Sequence, residues 1–167
     1  MIKQLGQKDL QIASEVIRAS FATVAKDMNL TEENCPRHTS FITTPERLQN
    51  HLDWGWLLYG LYDEECEEKL VGYVSLSNES NESEKIYELH NIGVLPEYRH
   101  KNYGKQLLEH CKTKVRELNG DKIILSMIEE NTVLKNWYIS NGFIHTGTKK
   151  FDSMPLFTVG YMEWECK

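Results

Sequence analysis

The most constraining feature of the sequence is an amphipathic helix flanked by two strand-like runs. The run at residues 85–94, KIYELHNIGV, is prone to form a strand and is stopped by Pro96, while Lys122–Ile128 is a continuous apolar run typical of a strand buried on both faces. The intervening apolar positions recur at helical spacing, and they are Leu107, Leu108, Cys111, Val115 and Leu118. The segment therefore predicts a β-strand, helix, β-strand crossover with parallel strands.

The remaining patterns predict a mixed α/β (α+β) chain. The 167 residues are enough for one good core, so a single domain spanning residues 1–167 is expected. Residues 31–42 are predicted to form a loop. The other predicted elements are a short strand at residues 1–5, helices at Asp9–Asn29, from Pro45 to just before Gly55, and at Asn131–Ser140, and strands at Trp56–Tyr62, Leu70–Leu76, Phe143–Phe151 and Leu156–Trp164.

Charge and cysteine usage exclude several functional classes. The formal net charge of -6 argues against a nucleic-acid partner and favours a cationic one. No run reaches the roughly 18 apolar residues that a membrane span needs, and the N-terminus does not resemble a signal peptide, so we expect a cytoplasmic protein. The four cysteines form no CxxC pair and have no histidine at metal-ligand spacing. Free thiols and no metal are therefore expected.

The stretch YRHKNYGKQLL, residues 98–108, occupies the position where this crossover would bind a ligand. In such units the ligand lies outside the carboxyl end of the first strand, against the N–H groups that begin the helix. Gly104 would let the backbone approach an anion closely, and Asn102 tolerates left-handed dihedrals. The positive charge comes from Arg99, His100, Lys101 and Lys105. The pattern suits a pyrophosphate, and a solvated helix start is the alternative.

Two common phosphate-binding motifs are absent from this stretch. A Walker loop would need Gly where Arg99 stands and a hydroxyl where Gln106 stands, and no GxGxxG occurs. The phrase IGVLPEYRHKNYGKQLL instead resembles the acyl-CoA motif of the GNAT superfamily of acetyl-CoA-dependent N-acetyltransferases, roughly V-x-P-x-Y/F-R/Q-x-x-G-x-G/A. Asn102 replaces the first motif Gly. The matching residues are Val94, Pro96, Tyr98, Arg99 and Gly104.

A second block supports the same resemblance. ENTVLKNWYISNGF, residues 130–143, is similar to the family pattern N-x-x-A-x-x-L/F-Y-x-x-x-G-F. Leu134 stands in place of the motif Ala, and Trp137 occupies the bulky apolar position. The matching residues are Asn131, Tyr138, Gly142 and Phe143. The resemblance covers roughly Trp56 to Trp164, and two motifs in the right order are more specific than either one alone.

The resemblance implies a fold and a cosubstrate. The expected GNAT fold has a central mixed, mostly antiparallel twisted sheet of about seven strands with about four helices, parallel and splayed at strands four and five. Acetyl-CoA would be the cosubstrate. The backbone of Ile92, Gly93 and Val94 would pair with its pantetheine arm. The pyrophosphate would be held by Arg99, His100, Lys101, Asn102, Tyr103, Gly104 and Lys105.

The resemblance also implies catalytic roles. Asn131 would hydrogen-bond the pantetheine, and Tyr138 would be the general acid, since a phenol of pKa near 10 can protonate a thiolate of comparable basicity. Glu88 and His90 lie two apart on the fourth strand, so both are expected on one face. His90 has the more suitable ordinary pKa, but Glu88 is the favoured base because many family members place a Glu near this point.

The acceptor is expected to be an amine, either a small molecule or a peptide α-amine. In this family the acceptor groove is usually lined by the first two helices and a late turn, which contribute here Trp54, Trp56, His38, Phe41, Asp152 and Phe157. A homodimer could form through an edge strand such as LFTVGYMEWE, residues 156–165.

Two other functional classes are alternatives. The first is a non-catalytic acyl-CoA sensor or interaction module on the same fold, against which the presence of Asn131 and Tyr138 counts. The second is a generic α/β nucleotide-binding domain, which the missing glycine signatures disfavour.

Overall fold

The computed structural model describes all residues from 1 to 167, and its seven strands form one mixed sheet in the order β1-β2-β3-β4-β5-β7-β6. The strands are β1 Ile2–Gln4, β2 Leu57–Tyr62, β3 Leu70–Asn78, β4 Ile86–Val94, β5 Lys122–Ile128, β6 Ile144–Lys149 and β7 Val159–Glu165. The helices are α1 Leu10–Asp27, α2 Thr39–Ile42, α3 Pro45–Asp53, α4 Tyr103–Glu117 and α5 Thr132–Ser140, with 3-10 turns at Gln7–Asp9 and Pro96–Tyr98.

The predicted fold class is confirmed by this sheet. β4 and β5 are the parallel pair that the crossover predicts, and the β1–β2, β2–β3, β5–β7 and β6–β7 pairs are antiparallel. The parallel pairing joins Ile86–Glu88 to 122–124 and goes no further, although β4 continues to Val94 and β5 to Ile128. Only three residue pairs join β4, which has nine residues, to β5, which has seven. The two strands therefore splay apart, as expected.

One helix was missed by the sequence patterns. Residues 31–42 were predicted as a loop, but Thr39–Ile42 form one helical turn. The His38 side chain caps it, because its Nδ1 accepts the Ser40 N–H at 3.3 Å. Histidine is not among the preferred N-cap residues, and four residues are too few to show a helical period, so the sequence gives no signal for this helix.

The backbone groups into two compact units, of which the first contains residues 1–77 and 90–111. Its core forms where α1 packs on the first strands. One face of α1 is apolar at the spacing of a helix, and this face meets Leu58, Leu70 and Tyr73 of β2 and β3. The α1 residues in this core are Leu10, Ala13, Val16 and Ile17.

The second unit contains residues 78–89 and 112–167. In it β7 pairs with β5 along Val159–Glu165 and with β6 on its other side. The prediction that residues 156–165 form a free sheet edge is therefore wrong, since β6 is the edge strand here. Turn signals show where a hairpin reverses, but they do not show which of its strands lies inside the sheet.

No helix of the chain is long and apolar enough to cross a membrane.

Candidate functional site

The stretch between β4 and α4 has the backbone shape of an anion site. His100 and Asn102 have positive φ, of 64° and 66°. The left-handed shape is predicted for Asn102, whereas the one at His100 was not expected. None of the backbone N–H groups of residues 100–105 donates to a backbone carbonyl. Donors that converge in such alternating conformations form concave anion-binding loops. We call residues 99–105 the cradle.

Arg99 fixes the start of the cradle to its own unit. Its Nε donates to the Val94 carbonyl at 3.2 Å, and its Nη2 donates to the Ser20 carbonyl at 2.8 Å and to Thr23 Oγ1 at 3.0 Å. These bonds occupy two of the guanidinium nitrogens with groups of β4 and α1. The structure thus gives Arg99 an anchoring role, and contact with a phosphate stays a prediction.

Two tyrosines hold the cradle from the side of the β2–β3 loop. The buried Tyr103 phenol donates to Asp63 Oδ1 at 2.8 Å, and this hydrogen bond holds the pKa of Asp63 below its usual value. The Nζ atoms of Lys69 and Lys101 lie 4.7 Å and 5.2 Å from the Tyr98 ring centroid, within cation–π range. Asp63 was not singled out from the sequence, because its acidic run reads as a solvated turn.

We expect Asn102→Gly to keep or improve CoA affinity and Asn102→Val to weaken it about 10-fold or more. A left-handed residue other than Gly costs about 1–2 kcal/mol, and a β-branched side chain tolerates this shape least. Titration calorimetry with CoA measures both variants. The matched control is Asn29→Gly, at a left-handed Asn that follows α1, which should leave CoA affinity unchanged. Loss of CoA binding in Asn102→Gly would contradict the proposed path of the loop.

The residues assigned to the pantetheine lie in the last third of β4. Ile92, Gly93 and Val94 are half-buried and lie beyond the segment of β4 that pairs with β5. A Cβ on Gly93 would lie 2.9 Å from the Ser20 Cβ and 3.1 Å from the Phe21 ring. Gly93 therefore also serves the packing of α1 against β4. Pairing of this backbone with a pantetheine arm stays a prediction.

The two candidate bases lie on one face of β4, as expected. Glu88 and His90 are half-buried, and the alternate positions Tyr87 and Leu89 are buried. Burial raises the pKa of Glu88, and the nearby charge of Glu79 raises it further. Burial lowers the pKa of His90 to about 4, and the charge of His51 adds to the effect. A carboxylate with a raised pKa is a better base near neutral pH, whereas His90 becomes a weaker one.

His90 is one end of a stack of three aromatic rings. Its ring lies 4.2 Å from that of Trp56, nearly parallel, and the ring of His51 stacks 4.0 Å from that of Trp56. Ser77 Oγ lies 2.8 Å from His90 Nε2. His51 is buried and its Nδ1 has no hydrogen-bond partner. His51 and Ser77 were missed because no motif marks them. Trp54, predicted to line an acceptor groove, is 66% exposed.

The stacked histidines should make the free energy of unfolding depend on pH. Burial lowers the pKa of both His51 and His90 to about 4, so between pH 4 and 6.5 the unfolded chain binds more protons than the folded one. The free energy of unfolding should then rise with pH by at most about 1.4 kcal/mol per unit and per histidine. Urea unfolding at several pH values measures the slope. His51→Gln should flatten it, and His100→Asn, at an exposed loop position, should not. An equal slope in His51→Gln would contradict the buried neutral state of His51.

The remaining residues predicted to line an acceptor groove lie apart along the chain. The rings of His38 and Phe41 are 5.7 Å apart at α2, in the first unit. Asp152 and Phe157 lie in the turn before β7, in the second unit, where Asp152 is exposed and Phe157 is buried.

The second motif forms helix α5 and its cap. Asn131 Oδ1 accepts the Leu134 N–H at 3.2 Å, so its side chain caps the helix, and contact with a pantetheine stays a prediction. Tyr138 is 3% exposed and packs edge-on against Trp137 and Phe143, with ring centroids 5.1 Å and 5.4 Å away. The structure thus gives Tyr138 a fixed place on a capped helix.

Glu129 and Glu130 follow β5 and are bound by protein groups. Glu129 meets Lys135 Nζ and His145 Nε2, and Glu130 accepts the Thr158 N–H with both oxygens, at 2.9 Å and 3.0 Å. Neither was predicted from the sequence. No group of three or more His, Cys, Asp or Glu side chains lies close enough to hold a metal ion.

Comparisons with known proteins show a family and relatives that the chain resembles. Residues 26–143 match the model of the acetyltransferase (GNAT) family. An uncharacterised N-acetyltransferase encoded in the pepI 3' region of Lactobacillus delbrueckii subsp. lactis is 26% identical over 147 residues, which are 84% of this chain and 82% of the relative.

Two solved structures share the fold. The PaiA N-acetyltransferase of Thermoplasma acidophilum, solved with coenzyme A, superimposes with a TM-score of 0.79 at 24% identity, covering 99% of this chain and 98% of its own. The ribosomal-protein-alanine N-acetyltransferase of Brucella melitensis gives a TM-score of 0.73 at 18% identity, covering 99% of both chains. The family model matches more than half of the chain, and the fold and both motifs agree with it: the protein belongs to the GNAT family of acetyltransferases.

Proposed function

We propose that this acetyltransferase moves the acetyl group of acetyl-CoA directly to an amine. The observation that supports this most is the cradle, whose unpaired N–H groups and left-handed residues suit a diphosphate. The residues present therefore fit the cosubstrate that the family uses. Arg99 would keep the start of the cradle in place, and Lys101 and Lys105 would add positive charge at exposed positions.

The reaction needs a neutral amine, a polarised thioester carbonyl and a proton for the departing sulfur. Glu88, directly or through water, would take the proton from the amine, whose nitrogen then forms the new bond to the carbonyl carbon as the carbon–sulfur bond breaks. Tyr138 would give its phenolic proton to the sulfur. The raised pKa of Glu88 supports its choice over His90, whose pKa is lowered to about 4. An N–H within Ile92–Val94 would polarise the carbonyl.

The acceptor that we propose is a small-molecule amine or a peptide α-amine. The net charge of -6 supports a cationic acceptor, because a protonated amine is attracted to an acidic protein. Of the three relatives described above, only the Brucella melitensis protein has a name that states an acceptor, so the names do not select one of the two classes. We also propose that the protein acts in the cytoplasm.

The test is a titration of acetyl-CoA followed by thiol release over a panel of amines. The panel contains diamines, polyamines, aromatic amines and peptides with free α-amines. We expect micromolar to millimolar binding and release of CoA thiol with at least one amine. Binding without turnover on any amine would favour the alternative, a non-catalytic acyl-CoA sensor. Preference for ATP over CoA would overturn the proposal altogether.

A further inference from the structure

A three-membered ion-pair and hydrogen-bond network lies at the start of α5, and none of its members stands at a position that the GNAT motifs specify. Glu129, which follows β5, pairs through Oε1 with Lys135 Nζ on α5 and through Oε2 with His145 Nε2 on β6, at 2.9 Å. All three residues belong to the second unit. One carboxylate thus ties the first half of a helix to a strand.

The network is partly buried and closely fitted. The side chains of Glu129, Lys135 and His145 are 21%, 25% and 27% exposed, well below those of a free surface pair. The hydrogen bond from Lys135 is the main cause that holds the pKa of Glu129 below its usual value. Gly160 on β7 makes the fit possible, because a Cβ there would overlap Glu129 Oε2.

The position of this link along α5 gives it a functional meaning. Lys135 lies three residues before Tyr138, so the two side chains are one helical turn apart. The other end of α5 is held by Lys112, whose Nζ donates to the Asn141 carbonyl at 2.7 Å. The Asn131 cap lies within the helix itself and does not tie it to the sheet. Glu129 therefore fixes the first half of α5 from outside the helix.

We infer that Glu129 is a positioning residue, which holds α5 through Lys135 and His145 and so sets the place of the Tyr138 phenol. This inference rests on the proposed role of Tyr138 as general acid. Displacement of a reacting group by about 1 Å can cost a factor of about 100 in rate. Loss of the network should accordingly lower kcat more than it changes the KM for acetyl-CoA.

The test compares four single variants with the wild type and ends with a double-mutant cycle. Glu129→Ala removes the network, Glu129→Gln keeps the shape and one carbonyl oxygen for Lys135, and Gly160→Ala displaces the carboxylate without removing it. The matched control is Glu163→Ala, which breaks a carboxylate pair with Lys122 Nζ at 3.2 Å on β5 and β7. Hydrogen exchange of the α5 amides reports how firmly the helix is held against local opening, without any substrate.

We expect faster exchange of the α5 amides and a kcat about 10-fold lower in Glu129→Ala and Gly160→Ala, with KM for acetyl-CoA within about 2-fold. Glu129→Gln should recover much of kcat. The Glu163→Ala control should lower the thermal unfolding midpoint by about as much as Glu129→Ala does. Its kcat and its α5 exchange rates should stay those of the wild type. A double-mutant cycle with Lys135→Ala should be non-additive in kcat, because both residues serve the same contact.

The outcomes separate this inference from the proposed function. Unchanged α5 exchange in Glu129→Ala would overturn the positioning role, whatever the activity. Faster exchange with unchanged kcat in an active enzyme would overturn the link to Tyr138. A wild-type protein that transfers no acetyl group would overturn the proposed function instead, and the exchange measurement would still decide whether Glu129 holds α5.

Discussion

Tyr138→Phe is expected to lower kcat about 100-fold or more while leaving the dissociation constant of CoA nearly unchanged. A positioned general acid contributes about 10²–10⁴ in rate, and Phe keeps the ring that packs against Trp137 and Phe143 while removing the proton. Rapid-quench single-turnover kinetics with acetyl-CoA and an active amine measure the acetyl-transfer step, and calorimetry with CoA measures binding.

The control for this prediction is Tyr161→Phe. Tyr161 is a half-buried phenol on β7, paired in register with Ser126 and Gly147, and has no assigned role in the chemistry. Loss of its hydroxyl should leave the transfer rate within about 2-fold, because Phe keeps the ring and the hydroxyl has no role in the proposed chemistry. A Tyr138→Phe enzyme with the wild-type transfer rate would remove Tyr138 from the mechanism and make another group, or water, the proton donor.

Glu88→Gln is expected to lower kcat/KM at neutral pH by about 100-fold and to remove the acid limb of its pH profile. The limb follows from the need for an ionised carboxylate, so the rate falls as the pH drops through the pKa of Glu88. Because burial and Glu79 raise that pKa, the limb should lie above pH 4.5, the ordinary value for a glutamate. Initial rates in overlapping buffers of constant ionic strength give the profile.

Glu79→Gln tests the cause of this pKa. Removing the neighbouring negative charge makes ionisation of Glu88 easier, so the acid limb should move to lower pH with no large loss at the plateau. His90→Gln is the matched variant at the other candidate base, and it should keep the limb. A limb that moves with His90→Gln and stays in Glu88→Gln would reverse the assignment of the base.

Most of the fold could be predicted from the sequence, because the patterns that define the crossover from β4 through α4 to β5 are strong. The apolar run of β5, the helical period of α4 and the stop at Asn119-Gly120 define the crossover, and the structure places β5 and α4 within these bounds. Helix α2 was missed because its cap is a histidine, and β7 was taken for an edge strand. The order of strands in a sheet depends on long-range packing, which local periodicity does not encode.

The candidate site also contains residues that could be predicted from the sequence and residues that could not. Asn102, Asn131 and Tyr138 could be proposed from motifs, since each stands at a fixed offset in a short pattern. The contacts of His51 and Glu129 could not be predicted, because no sequence pattern links His51 to Trp56 or Glu129 to His145. The raised pKa of Glu88 likewise depends on its burial and on Glu79, nine residues away along the chain.

The two left-handed residues of the cradle have a further consequence for the thermodynamics of binding. A loop that uses Gly at these points would be free to sample many shapes, whereas His100 and Asn102 restrict the chain before any partner arrives. A residue other than Gly adopts the left-handed shape at a cost of about 1–2 kcal/mol, so the rest of the fold must hold these two residues in place. The loop thus has its anion-binding shape before an anion arrives. We therefore expect anion binding with a small entropic penalty and without a slow conformational step.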